Sequence, residues 1–224
     1  MHEGDPDSAA EFTRRLGQLH AAEHPVPMRS IFALAKELSR MEPGQIELLL
    51  EASDHDARVG AVSVMDFQAR DKKTPEARRR ELYELYLRRH DLIDTWDLVD
   101  RAAPHVVGGY LADKSREPLY VLARSGAWPE RRTAIVATYF FIRQGDIRDT
   151  FGIADVLADD PEDLVQKAVG GWVREAGKQA VDRLRGFLDA HAATMPRTAL
   201  RYAVEHLDAD ERAKYLAMRR VAST

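Results

Sequence analysis

The chain has 224 residues, of which 45% are hydrophobic and 31% are charged. That apolar fraction excludes wholesale disorder, and no apolar run approaches the roughly 20 residues that a membrane-spanning helix needs. Cysteine is absent, which excludes disulfides, thiolate nucleophiles and thiolate-bound metal clusters. The first residues lack the basic-then-apolar order of a signal peptide, so we expect a cytoplasmic protein. With 33 Lys and Arg against 37 Asp and Glu, nucleic-acid binding would require basic residues sorted onto one face.

Helical spacing of apolar residues runs along nearly the whole chain, and strand-like alternation is absent. An acidic tail at residues 1–7 is expected to be loose, and Ser8 is placed to start the first helix. Proline in the first turn marks several later starts. In chain order, the apolar positions of the predicted helices lie in residues 12–19, 31–41 (ended by Pro43-Gly44), 46–52, 59–67, 82–87 (after Thr74-Pro75-Glu76), 135–142 (after Trp128-Pro129-Glu130), 164–173 (after Asp160-Pro161-Glu162), 200–207 (after Met195-Pro196) and 215–218 (after Asp208). The sequence therefore predicts an all-α chain of short helices.

Three segments of similar pattern recur along the chain, at residues 56–62, 129–135 and 164–170. Each has a basic residue one to three places before an alanine, then a small or β-branched pair. Ala61 and Ala134 are 73 positions apart, and Ala134 and Ala168 are 34 apart. A period of about 35 to 37 residues with two helices per unit is typical of α-solenoids of the HEAT or armadillo kind. We therefore predict one HEAT-like repeat domain over residues 1–224, with a concave binding face formed by its inner helices.

An aromatic and an acidic residue, Trp96 and Asp100, are four positions apart on a predicted helix and so project from one face. The indole would offer its face to a cationic ligand, and the carboxylate would stabilise positive charge that develops beside it. The alternative interpretation makes Trp96 a core anchor and Asp100 an exposed or paired acid. From the residues by themselves we favour this alternative.

Basic residues provide candidate contacts to backbone phosphate. Lys72 and Lys73 are predicted to lie in a loop after an inner helix. Lys167 and Arg174 are seven apart on one helix and so share a face. The pair Arg131 and Arg132 near a helix start would clamp phosphate, or would pair with an acid of the neighbouring repeat, which is the interpretation that we favour for Arg131.

Four segments resemble the AlkD-like family of DNA alkylation-repair glycosylases in their order and spacing. They are residues 94–100 (Asp-Thr-Trp-Asp-Leu-Val-Asp), 128–136 (Trp-Pro-Glu-Arg-Arg-Thr-Ala-Ile-Val), 166–178 (Gln-Lys-Ala-Val-Gly-Gly-Trp-Val-Arg-Glu-Ala-Gly-Lys) and 195–203 (Met-Pro-Arg-Thr-Ala-Leu-Arg-Tyr-Ala). The resemblance runs from about residue 27 to residue 215. It implies a HEAT-like solenoid that binds alkylated duplex DNA on its concave face. It also implies the release of cationic bases such as 3-methyladenine or 7-methylguanine, without a metal and without moving the base into a deep pocket.

The family's site residues are carried over by motif. The resemblance implies that Asp100 is the catalytic aspartate, that Trp96 is its aromatic partner and that Arg132 is the arginine of the groove. The second aromatic residue of the family's site is offset by one position in this chain. The family has tryptophan directly after the first glycine of its Ala-Val-Gly segment, where this chain has Gly171. Its own Trp172 follows one position later, about 100° further round a helix.

The eight histidines show no metal-ligand spacing, so we expect neither a metal nor another cofactor. The leading hypothesis is a monomeric DNA glycosylase of base-excision repair whose partner is alkylated double-stranded DNA, with no membrane association. A catalytically inactive member of the same fold that binds DNA, RNA or a protein is the first alternative. A purely structural solenoid adaptor is the second, and it predicts no salt-sensitive affinity for DNA.

Overall fold

The computed structural model of the chain describes residues 7–23 and 25–218. Every regular element in these two ranges is a helix, which confirms the prediction of an all-α architecture and agrees with an α-solenoid of helical repeats. By its internal contacts the chain divides into two compact units, Met1–Tyr110 and Leu111–Thr224. The predicted loose tail at residues 1–7 lies outside the described residues except for Asp7. The single repeat domain and its concave face stay predictions.

The first unit is built around one long, buried helix. Its helices are α1 (Ala9–Ala22), α2 (Met28–Glu37), α3 (Pro43–Leu50), α4 (His55–Arg70), α5 (Glu76–Arg88) and α6 (Trp96–Ala102), with a 3-10 turn at His90–Leu92 and a π-helix at Ala103–Gly108. Helix α4 packs against α2, α3 and α6, and most of its residues are buried. A helix that is covered on several sides in this way holds its neighbours in fixed positions. Helix α7 (Gly109–Leu111) follows the π-helix directly.

The second unit has the same kind of central helix. Its helices are α8 (Glu117–Ala123), α9 (Trp128–Ala137), α10 (Tyr139–Ile142), α11 (Arg148–Val156), α12 (Asp163–Gly177), α13 (Val181–His191), α14 (Arg197–Ala203) and α15 (Ala209–Ala217). Helix α12 packs against α9, α11, α13 and α14. None of the helices within the described residues of either unit is long and apolar enough to cross a membrane.

Helix starts follow the sequence signals closely. The side chains of Ser8 and Asp208 accept hydrogen bonds from backbone N–H groups three residues later, as N-caps do. Pro75 precedes α5, and Glu162, just after Pro161, precedes α12. These predicted starts are confirmed. They could be predicted because a cap or a proline acts within a single turn of the chain.

Two helix ends differ from the prediction. Helix α2 ends at Glu37 rather than near Met41, and Pro43-Gly44 begins α3 instead of ending α2, because proline is well suited to the first helical position. The predicted helix through residues 135–142 is broken at Thr138. Its hydroxyl donates to the carbonyl of Ile135 at 2.7 Å, and its backbone N–H bonds the same carbonyl. This tighter turn separates α9 from α10.

A proline accounts for the π-helix that follows α6. Pro104 has no N–H to donate to the carbonyl of Asp100 four residues earlier, so the α-helical pattern cannot continue through it. The chain widens, and the N–H of Gly109 bonds the carbonyl of Pro104 five residues back. Such wide turns are rare and are often found beside functional sites. This one limits α6 to seven residues, Trp96–Ala102.

Candidate functional site

Helix α6 presents Trp96 and Asp100 on one side and buries the other. Leu98, Val99 and Ala102 are buried, whereas 51% of the surface of Trp96 is exposed and Asp100 is half-buried one turn later. An indole in the core would not be exposed to this extent, so Trp96 is not the core anchor of the alternative interpretation. The helix therefore offers an aromatic face and a carboxylate side by side.

The first turn of α6 is tied to the start of α4. The carboxylate of Asp97 lies 2.8 Å from Nε2 of His55 and accepts a hydrogen bond of 2.6 Å from the hydroxyl of Thr95. Burial would raise the pKa of Asp97, but the hydrogen bonds from Thr95 and His55 outweigh it and lower that pKa below its ordinary value. Asp97 is therefore ionised at neutral pH and holds the helix start in place.

A buried carboxylate with two half-buried partners fixes α6 to α4 through a different face. Asp66 of α4 is 1% exposed and lies 3.2 Å from Nη2 of Arg101 and 2.8 Å from Nδ1 of His105. Arg101 also donates to the hydroxyl of Ser63 at 3.0 Å. Burial lowers the pKa of Arg101, and the charge of Asp66 opposes that change. We call Asp66, Arg101 and His105 the buried cluster.

Aromatic rings complete the surroundings of Arg101. Its guanidinium lies over the ring of Phe32 of α2 at 4.4 Å and over the ring of Phe67 of α4 at 4.9 Å. An ion pair, a hydrogen bond and two cation–π contacts thus hold the Arg101 guanidinium in place. About 140° separates Arg101 from Trp96 around α6, so the buried cluster positions the helix without occupying its exposed face.

The buried cluster is the feature that sequence reasoning missed. Two signals were available: Asp66 is a lone acid within the apolar run Val62 to Phe67, and Arg101 and His105 have the i,i+4 spacing of a shared helix face. Neither signal identifies the partner, because the two segments are more than 30 residues apart in sequence.

The predicted loop cations of the first unit are confirmed as loop residues. Lys72 and Lys73 lie between α4 and α5 and are exposed, and the backbone N–H of Lys73 donates to the carboxylate of Asp71 at 2.9 Å. Within the described residues, neither lysine side chain has a hydrogen-bond or ion-pair partner. Both are thus available to an external anion.

In the second unit Arg131 makes the structural contacts of the interpretation favoured from sequence. Its Nε lies 2.6 Å from the nearly buried carboxylate of Asp160, and its Nη1 donates to the carbonyls of Ser125 and Gly126 at 3.1 and 3.0 Å. The hydrogen bond to Asp160 raises the pKa of the Arg131 guanidinium. These contacts oppose the DNA-binding role also considered for Arg131.

The Arg131 side chain is expected to contribute to stability and not to DNA affinity. Arg131→Gln removes the guanidinium that donates to the carboxylate of Asp160, and it should lower the free energy of unfolding in urea by about 1.5–3 kcal/mol. Lys167→Gln, at an exposed ion pair, is the control and should change it by about 0.5 kcal/mol or less. Weaker DNA binding by Arg131→Gln at unchanged stability would restore the phosphate-contact interpretation.

Arg132 is placed differently from its neighbour. It is 7% exposed, and its Nη1 donates to the backbone carbonyl of Leu164 in α12. This hydrogen bond joins α9 to α12 and uses part of the guanidinium that the resemblance assigns to substrate. The role of Arg132 in the reaction stays a prediction.

The two cations predicted to share a face of α12 both have acidic partners. Lys167 lies 2.6 Å from Asp163, and this hydrogen bond raises the pKa of Lys167. Arg174 pairs with Glu205 and also lies 3.2 Å from Glu175. A DNA phosphate would have to displace a carboxylate from each of these two cations. Their expected contribution to DNA affinity is therefore smaller than their spacing suggests.

Trp172 lies on a regular helix. Helix α12 continues through Gly170 and Gly171 without distortion, so nothing compensates for the one-residue offset from the family's tryptophan. The half-buried indole donates from Nε1 to the carbonyl of Val136 at 3.0 Å, and its ring lies 5.5 Å from that of Tyr139. Trp172 thus packs against the end of α9 and the start of α10.

The two glycines before Trp172 are expected to respond oppositely to alanine. A Cβ at Gly170 would lie 2.3 Å from the carbonyl oxygen of Ala199, whereas a Cβ at Gly171 would meet nothing within 4 Å. Gly170→Ala should lower the free energy of unfolding by about 1–3 kcal/mol, through overpacking against α14. Gly171→Ala should raise it by about 0.5–1 kcal/mol because alanine restricts the unfolded chain. Urea denaturation measures both, and equal effects would contradict this packing.

One group of side chains in the described residues has the composition of a cation site. His20, Asp54 and Asp56 bring ligand-type atoms within 4.8 Å of one another. Nε2 of His20 lies 3.3 Å from Asp56 and 3.7 Å from Asp54. Asp54 also caps α4 through the N–H of Asp56. The two carboxylates lie at the N-terminus of α4, where the helix dipole favours acidic side chains, and this accounts for their position.

Comparison with known proteins now supplies a family for this fold and this helix. The sequence profile described as DNA alkylation repair enzyme matches residues 3–207. Curated proteins contain no relative that matches the chain. The profile match takes in α6, the buried cluster and the whole of α12. The chain therefore belongs to the DNA alkylation repair enzyme family.

Proposed function

We propose that the chain is a DNA glycosylase that hydrolyses the N-glycosidic bond of cationic alkylated purines in duplex DNA, 3-methyladenine and 7-methylguanine being the expected substrates. The observation that carries the proposal is the pairing of an exposed Trp96 with Asp100 on a helix fixed from two sides. Membership of a DNA alkylation repair family supports it.

The chemistry suits a site with few residues. A purine alkylated at N3 or N7 already carries positive charge, so when the C1′–N bond breaks its electron pair goes to the base, which leaves neutral. No strong acid is needed to protonate the leaving group. The remaining barrier is the positive charge that develops on the sugar, as in glycoside hydrolysis generally.

Asp100 and Trp96 would act on the two positively charged parts of the nucleotide. The carboxylate of Asp100 stabilises the developing oxocarbenium ion and accepts the proton of the water that adds to C1′. Trp96 offers its face to the cationic base before the bond breaks. Because the base becomes neutral in the reaction, the cation–π contact favours binding of the damaged nucleotide, and the carboxylate favours the transition state.

Residues of the second unit are further candidate contacts to DNA. Arg132 would bind backbone phosphate after releasing the carbonyl of Leu164, and Trp172 would offer an aromatic surface only by leaving Val136. Lys167 and Arg174 would exchange their carboxylate partners for phosphate. A monomer in the cytoplasm that uses no metal or other cofactor stays the expectation from sequence.

A catalytically inactive DNA-binding member of the family is the second candidate. The observations that favour it are the contacts of Arg132 and Trp172 with backbone carbonyls, since both side chains are used within the fold. It predicts salt-sensitive DNA binding without release of a base.

Release of free base from methylated duplex separates the two candidates. The protein is incubated with N-methylated duplex DNA, free 3-methyladenine and 7-methylguanine are quantified, and abasic sites are detected as alkali-labile breaks. The glycosylase proposal expects free base and abasic sites in equal amounts. DNA binding without either product would refute it in favour of the inactive member.

A further inference from the structure

The cations of the first unit fall into two groups. Within the described residues of Met1–Tyr110, most Lys and Arg side chains contact an acid, a carbonyl or a ring. Five exposed ones have no such partner. We call these five the free cations: Arg29, Lys36, Arg40, Lys72 and Lys73.

Three of the free cations follow one edge of α2. Arg29 and Lys36 are two turns apart, so they share a face and are separated by about 10 Å along the axis. Arg40 follows in the turn after α2. The neighbouring acid on α2, Glu37, is already paired with Arg15 of α1. The edge therefore carries positive charge that nothing within the described fold neutralises.

The remaining free cations adjoin the same edge through a cleft. Arg40 and Lys73 both line an open, polar cleft of about 500 Å³, which residues at the end of α2 and in the α4–α5 loop help to form, and Lys72 precedes Lys73 in the chain. Two acids also line it: Glu42, which pairs with Arg78, and Asp71, which accepts the N–H of Lys73. Neither acid contacts the ammonium or guanidinium groups of the free cations.

The cleft is connected to the helix that carries Trp96. Phe67 lines the cleft, and its ring lies under the guanidinium of Arg101 of α6. Phe32, on α2 between Arg29 and Lys36, contacts Arg101 as well. Phe32 and Phe67 therefore connect α2 and the cleft to Arg101 of α6, and all of these residues belong to the first unit.

We propose that the free cations form a phosphate track, which binds the backbone of one strand of duplex DNA along α2 and through the cleft while α6 faces the damaged nucleotide. The proposal rests on the proposed function. DNA fits because its backbone offers a continuous series of negative charges to the cations of α2 and the cleft, and because each unpaired cation gains a phosphate without losing an internal partner. Lys167 and Arg174 of α12 would first have to lose a carboxylate.

A pair of triple variants with equal changes in net charge tests the track. Lys36→Gln, Arg40→Gln and Lys73→Gln remove three free cations. Arg14→Gln, Arg80→Gln and Lys178→Gln are the control, because these exposed cations are paired with Glu11, Glu84 and Glu175. Binding of undamaged duplex is followed by fluorescence anisotropy over a series of salt concentrations, and thermal unfolding checks that all proteins are folded.

The track variant should bind more weakly by about tenfold or more, with a salt dependence of the logarithm of affinity less steep by about 2.7, roughly 0.9 for each lost phosphate contact. The control should keep most of the salt dependence of the unmodified protein. Equal reductions in the two triple variants would overturn the track, since charge alone would then explain binding.

The track and the proposed function fail separately in this design. Base release from methylated duplex by the unmodified protein, together with equal slopes in the two variants, would leave the glycosylase and remove the track. No base release, with the slope lowered only in the track variant, would remove the glycosylase and leave the track.

Discussion

Asp100→Asn is expected to slow base release from 3-methyladenine DNA by about two orders of magnitude or more, the scale for loss of one electrostatic stabiliser. Asparagine keeps the size and much of the hydrogen-bonding capacity of aspartate but removes the negative charge. If that charge acts in the transition state, single-turnover release falls while DNA affinity holds or rises slightly, because an anion facing phosphates has been neutralised.

A neighbouring acid supplies the matched control for Asp100. Asp94→Asn removes an exposed carboxylate two residues before α6, which pairs with Arg58 at 2.8 Å and lies outside the proposed site. It has the same change in charge and should leave base release within about twofold, since surface ion pairs contribute little. Base release by Asp100→Asn at the rate of the unmodified protein would exclude Asp100 from the mechanism. The family and the fold do not depend on this result.

The helices could be predicted where a local signal determines them. Ser8, Pro75 and Asp208 act on the backbone within one turn, so a reader of the sequence finds those starts. The break at Thr138 could not be predicted, because a buried threonine either continues a helix or bonds the preceding turn according to what surrounds it. Helix ends depend on such tertiary context more than starts do.

The candidate site shows the same division. The exposed face of α6 could be predicted from the spacing of Trp96 and Asp100, because a helix places i and i+4 together regardless of the rest of the fold. Arg131 and Arg132 are adjacent and chemically identical, yet one binds the side chain of Asp160 and the other the backbone of Leu164. Partners about 30 residues away follow from the packing of helices and not from any local pattern.

The buried cluster gives the largest expected loss of stability in the first unit. Asp66→Ala removes the carboxylate that Arg101 and His105 share and leaves the Arg101 guanidinium without a contacting acid. Breaking a buried ion pair in this way costs about 3–5 kcal/mol, so the free energy of unfolding in urea should fall by that amount. Glu84→Ala, at an exposed pair with Arg80, is the control and should cost about 0.5 kcal/mol or less.

A double variant shows whether the loss comes from the stranded charge. Asp66→Leu with Arg101→Met replaces both charges by apolar groups, and it should regain much of the stability that Asp66→Ala loses, because no buried charge remains. If the double variant is less stable than Asp66→Ala, the buried cluster stabilises by its hydrogen bonds and ring contacts and not by balancing charge.

Asp66→Asn tests whether the buried cluster also orients α6 for the reaction, because asparagine keeps a hydrogen-bonding side chain at the same place. Where the protein stays folded, slower base release at unchanged affinity for undamaged DNA would show that the cluster holds α6 in the orientation that brings Asp100 to the sugar.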